Sequence, residues 1–172
     1  MSNTFSFVGG SSGQWRVLKI ISVRGAGLDH VERIDIVNSD LSAVPLGSKW
    51  LLRGFTSNLR YITKREKDQL AAVQPPLDRR EAMLAALIAT KKNAAWWGLA
   101  QGERRRVCEE VSCHMAAGLQ DFLALDGPFD ALTWFEYAPQ HAAAFERLVV
   151  QLRLSAKWHY VEREVDIRLI RV

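Results

Sequence analysis

The chain has 172 residues, 48% of them hydrophobic and 24% charged, with a formal net charge of +4. That length and apolar content suit one generous domain or two fused small halves around a real core, and they exclude a disordered chain. Acids and bases are mixed along the chain. The one short basic cluster, Arg104-Arg105-Arg106, stands beside Glu103, Glu109 and Glu110, the pattern of a solvated helix face and not of a nucleic-acid patch. No apolar run approaches ~18 residues, and no basic segment leads into one, so neither a membrane span nor a signal peptide is expected and the protein reads as cytoplasmic.

In chain order, the glycine-rich run Val8-Gly9-Gly10-Ser11-Ser12-Gly13 reads as a flexible start and not as a phosphate cradle, because it precedes the first expected strand. Trp15–Val23 is rich in Val and Ile and predicts a strand; Arg24 to Gly47 is polar and irregular; Lys49–Phe55 predicts a second strand, with a turn at Thr56-Ser57-Asn58. Thr63 and Glu66 form a capping box that opens a helix to about Val73, stopped by Gln74-Pro75-Pro76. Met83–Thr90 is a continuous apolar run, and a strand is the preferred assignment. A long helix is predicted from about Gln101 to Leu125, because Val107, Val111, His114, Gly118 and Phe122 fall on one stripe; Asp126-Gly127-Pro128 ends it. Ala131–Tyr137 predicts a strand, Pro139 opens a helix to about Leu154, and Trp158–Arg171 is the last strand. This order predicts an α+β protein of two fused ferredoxin-like halves, 1–90 and 91–172, the first half truncated.

Two residues stand out chemically. His114 lies within the apolar helix pattern, and Glu136 lies within the apolar strand Leu132-Thr133-Trp134-Phe135-Glu136-Tyr137. A lone buried carboxylate is costly, so Glu136 needs a partner. A metal-bound histidine usually donates its second ring N–H to a carboxylate or carbonyl, so one hypothesis covers both: His114 ligates an iron and Glu136 orients its imidazole. A core histidine bonded to a carbonyl, and a glutamate paired with Arg168 or Lys157, fit the same positions. Tyr61, Lys92 and Trp96 carry donors of the kind porphyrin propionates need. Cys108 and Cys113, five apart on one expected helix, do not suit a disulfide, and without Cys-x-x-Cys-His no haem is attached covalently. His30, His141 and His159 sit in polar contexts. No dinucleotide, Walker, zincin or nucleophile-elbow motif occurs.

The blocks Lys91-Lys92-Asn93-Ala94-Ala95-Trp96-Trp97, then His114, then Leu132–Tyr137, then Trp158-His159-Tyr160-Val161-Glu162-Arg163-Glu164 resemble the chlorite dismutase family, and most closely its short, dimeric branch. The resemblance runs from about Gln14 to Arg171. It implies a dimeric α+β barrel whose C-terminal half holds haem b, with His114 as proximal iron ligand, Glu136 as its hydrogen-bond partner, and Asn58, Tyr61, Lys92 and Trp96 near the propionates. It implies a homodimer that converts chlorite into chloride and dioxygen. The family also carries a distal arginine after the proximal histidine. Here no arginine lies between His114 and Arg147, and the stretch is shorter than the family's. That departure implies impaired turnover, or alternatively a haem-binding carrier or sensor of the same fold.

Overall fold

A computed structural model describes residues 4–56, 77–109, 118–125 and 127–172. The strands are β1 (Thr4–Gly10), β2 (Trp15–Arg24), β3 (Arg33–Val37), β4 (Trp50–Thr56), β5 (Leu84–Lys92), β6 (Gly118–Ala124), β7 (Ala131–Tyr137) and β8 (Val161–Arg171). The helices are α1 (Ala94–Gly98), α2 (Gln101–Glu109) and α3 (Ala142–Leu154), with short 3-10 turns at Pro139–His141 and Ala156–Tyr160. All eight strands close into one antiparallel barrel in the order β1-β3-β2-β8-β5-β7-β6-β4. Counted within each set of four, the order is 4-1-3-2 for β1–β4 and again 4-1-3-2 for β5–β8. The helices among the described residues all belong to the second set; the links 11–14 and 38–49 contain none. A division after residue 90 would cut β5, which starts at Leu84.

Side-chain alternation divides the barrel into an inside and an outside. Phe7, Trp15, Ile34, Trp50, Leu87, Trp134, Ile167 and Leu169 fill the interior. On the outside of β5 and β7, Ala86, Ile88, Phe135 and Tyr137 pack against Phe145 and Val149 of α3, and Tyr137 stacks on Phe145 at 4.2 Å. Coverage of both faces explains the unbroken apolar run of β5. Among the described residues no helix is long and apolar enough to cross a membrane.

Three expectations change. The glycine-rich start is not loose: β1 pairs with both β3 and β4. Gly9 is needed there because a Cβ would lie 2.3 Å from the indole of Trp50, an overlap no packing tolerates. Within the polar stretch after Arg24, Arg33–Val37 forms β3, because Ile34 buries its side chain in the barrel. Most consequentially, the helix expected to reach Leu125 does not: it is described over Gln101–Glu109, and Gly118–Ala124 is a strand. β6 fills the gap between β4 and β7, and Phe122 points inward between Phe5 and Phe7, each ring centroid 5.3 Å away. Satisfying two sheet edges outweighs a helical stripe that the same residues also fit. Gly118 therefore lies opposite Glu136 in a ladder, not on a helix face. The capping-box helix from Thr63 lies outside the described residues, as does His114. The last strand, β8, is paired on both sides, and Val165, Ile167 and Leu169 point into the barrel.

Candidate functional site

β5 ends at Lys92, and Asn93 turns the chain into α1 by accepting the Trp96 N–H on its side-chain oxygen at 3.1 Å. This places Lys92 and Trp96 side by side, the Lys92 ammonium 5.5 Å from the indole centroid. Arg104 of α2 caps α1, donating to the Trp96 and Trp97 carbonyls at 3.1 and 2.6 Å and stacking over the Trp97 ring at 5.1 Å. The first arginine of the basic cluster is thus a fastener for the tryptophan doublet.

These residues wall a cavity of about 120 Å³ on the outer face of the sheet. Thr90, Asp121, Asp130 and Thr133 line it, together with Lys92, Trp96, Trp97, Lys157 and Trp158. Lys92 is only 8% exposed, and its backbone N–H donates to Asp130 at 2.8 Å. Asp121 accepts the Thr133 hydroxyl at 2.9 Å. The cavity is therefore lined by aromatic rings together with two lysines and two aspartates.

Of the residues expected to form the site, Lys92 and Trp96 come together here. His114, Asn58 and Tyr61 lie outside the described residues. Glu136 does not join them. It shares the inward phase of β7 with Leu132 and Trp134, whereas Ala131 and Thr133 of the same strand line the outer cavity. Its Oε1 accepts the Trp134 indole N–H at 3.0 Å and its Oε2 the Asp78 backbone N–H at 2.6 Å; Arg171 stands at 3.5 Å. A carboxylate held in this way inside the barrel is on the wrong side of the sheet to orient a group at the cavity. Neither Arg168 nor Lys157 is its partner.

The carboxylate on the cavity's side of the sheet is Glu164, which is 1% exposed. Its Oε2 accepts the indole N–H of the cavity residue Trp158 at 2.6 Å, and its Oε1 accepts from Arg153 at 3.0 and 3.1 Å. Arg153 also reaches Asp166 at 2.8 Å, Asp166 accepts from Arg168 at 2.6 and 2.9 Å, and Arg168 pairs with Glu146. Burial works to lower the pKa of Arg168, but Asp166 and Glu146 outweigh it and hold the guanidinium above its usual value; Arg153 is raised likewise by Glu164 and Asp166. Burial pushes the neighbouring Tyr137 hydroxyl above its ordinary pKa. The signal for this network is the acid-acid-base series Glu164, Asp166, Arg168 at a spacing of two, a charged strand face against an apolar one.

An antiparallel eight-stranded barrel with helices over one sheet and a cation-edged cavity beneath them defines an α+β barrel protein. No protein-family model and no curated protein matches the sequence. Solved structures do. A dimeric chlorite dismutase from Nitrobacter winogradskyi is 44% identical, with 98% of this chain and 99% of that chain covered and a TM-score of 0.86. Chlorite dismutase from Candidatus Nitrospira defluvii shares the fold at 17% identity, both as a tryptophan-to-phenylalanine variant with cyanide (TM-score 0.71, 99% and 92% covered) and in complex with imidazole (TM-score 0.70, 98% and 91% covered). The chain belongs to the chlorite dismutase family.

Proposed function

We propose that this protein is a haem b oxidoreductase acting on chlorite, with turnover impaired by the lack of a distal arginine. Its 44% identity to a chlorite dismutase over nearly the whole of both chains carries the proposal. The residues present fit the cofactor at its carboxylate edge: a buried ammonium, Lys92, stands beside an indole at the cavity wall. The space framed by the described residues, about 120 Å³, is smaller than ligand pockets of roughly 300–1,000 Å³, so it would border the cofactor and not enclose it. His114 would ligate the iron; Asn58, Tyr61, Lys92 and Trp96 would hold the propionates. Bound haem would supply the iron at which chlorite is cleaved to chloride and dioxygen.

For the carboxylate that accepts the histidine's second N–H we propose Glu164 in place of Glu136, on the strength of its face of the sheet and its contact with Trp158. We also propose that the barrel is two ferredoxin-like halves, supported by the repeated strand order, and that the protein is a cytoplasmic homodimer. Dimerisation rests on the dimeric relative. Sedimentation at 19.4 kDa at micromolar concentration would reject it.

Haemin titration is the primary test: a Soret band with tight binding is expected, lost in His114→Ala. Failure of the parent to develop the band rejects the cofactor. An oxygen electrode with a hypochlorite trap tests the reaction. The absence of arginine between His114 and Arg147 predicts weak oxygen release with rapid bleaching, because an unheld anion escapes before it can react further. That same absence favours the second reading, a haem carrier or sensor, which predicts a stable Soret band and no oxygen at all.

A further inference from the structure

Two lysines stand at the cavity, and they differ in how they are engaged. Lys92 is buried and lies against Trp96. Lys157 lines the same cavity, and among the described residues its ammonium makes no hydrogen bond or ion pair. Its backbone, in contrast, is firmly held. Lys157 sits in the 3-10 turn Ala156–Tyr160, closed by Trp158 N–H to the Ser155 carbonyl at 3.1 Å and tied to β5 by Asn93 N–H to the Tyr160 carbonyl at 2.7 Å. Arg24 donates to the carbonyls of Trp158 and Val161 at 3.2 and 2.6 Å, and the Trp158 indole is pinned on Glu164. A fixed base with an unpaired cationic tip beside a cavity is the arrangement of an anion holder. The carboxylates at the same cavity have other partners, Asp121 the Thr133 hydroxyl and Asp130 the Lys92 backbone N–H, and neither pairs with the Lys157 ammonium.

We propose that Lys157 is the cation that retains a small monovalent oxyanion in the outer-face cavity, the charge that the chain's missing arginine does not supply. The proposal rests on the haem reading above. Lysine gives a point charge on a flexible stem, without arginine's planar fork, so the anion is held by charge and weakly oriented.

The test uses haem-loaded protein with nitrite as the anionic probe and imidazole, at a pH where it is uncharged, as the neutral one, both read from the Soret shift. Lys157→Gln is expected to raise the nitrite Kd about tenfold and leave the imidazole Kd within about twofold, while Lys157→Arg stays within about twofold of the parent for both. Rising ionic strength should shrink the nitrite difference. A second readout needs no haem. Iodide quenching of tryptophan fluorescence, relative to neutral acrylamide, should fall about twofold in Lys157→Gln, because Trp97 and Trp158 share the cavity. If the protein takes no haem, the reading of function fails and the iodide comparison still decides the lysine's role. An unchanged nitrite Kd with unchanged iodide quenching overturns the proposal. So does a loss of haem affinity with the nitrite Kd unchanged, which would make Lys157 a partner of the cofactor's carboxylates.

Discussion

Glu136 and Glu164 are both buried glutamates on strands that flank β5, yet the barrel treats them in opposite ways. Inside, Glu136 is met by neutral dipoles, an indole and a backbone N–H, with one guanidinium further off. Outside, Glu164 belongs to a chain of close ion pairs running through Arg153, Asp166, Arg168 and Glu146 under α3. The inner arrangement ties the segment around Asp78 to the end of the barrel. The outer one fixes a helix to a sheet and ends at a cavity tryptophan. Charge in the interior serves closure; charge beneath α3 adjoins the site.

The comparison breaks most visibly if Arg168 is removed. Arg168→Met leaves Asp166, 0% exposed, without its closest cation, and a loss of about 3–5 kcal/mol is expected in a urea titration, the cost of stranding a buried charge. A loss below about 1 kcal/mol would mean Arg153 alone satisfies the aspartate. The next effect separates the two glutamates by function. In haem-loaded protein, Glu164→Gln should raise the ferric/ferrous reduction potential and Glu136→Gln should leave it in place, although each loses about 1–3 kcal/mol of stability. An upward shift in Glu136→Gln alone would restore the inward glutamate as the histidine's partner. The smallest effect sharpens the outer face. Burial raises Tyr137 above its usual value of 10.0, so the folded state keeps a proton that the unfolded chain loses first. Stability should therefore hold below pH 10.0 and decline as pH climbs towards the folded value. Tyr137→Phe should flatten that alkaline limb in pH-dependent thermal melts; an unaltered slope assigns the decline to other groups.

Much of the second half was legible because burial writes itself into composition. The apolar run at Met83–Thr90, the strand Ala131–Tyr137 and the helix after Pro139 stand where their patterns place them. β1 and β3 were not legible: Gly9 and Gly10 look like a loop unless the indole packed on Gly9 is known, and β3 hides one buried isoleucine among charges. β6 was misread because Gly118 and Phe122 satisfy a helical spacing while Asp121-Phe122 satisfies strand alternation, and only the empty place between β4 and β7 decides. For Glu136 the need for a partner was plain, and so were Leu132 and Trp134 as its neighbours; which of the two faces is the barrel's interior is a property of closure that a single strand does not contain. Glu164 escaped notice because a helix far along the chain, not its own neighbours, removes it from water.

The closed strand order also sets a condition on how the molecule is made. β2 is sealed by β8, with Val17 opposite Leu169, and β4 by β6, with Thr56 opposite Phe122. Both partners are synthesised after the first four strands have left the ribosome. Until then β2 and β4 present two bare hydrogen-bonding edges, templates for any extended chain nearby. The newborn protein therefore passes through its most aggregation-prone stage just before β8 emerges, and a premature stop ahead of β8 would leave the barrel open between β2 and β5, with both of those edges bare.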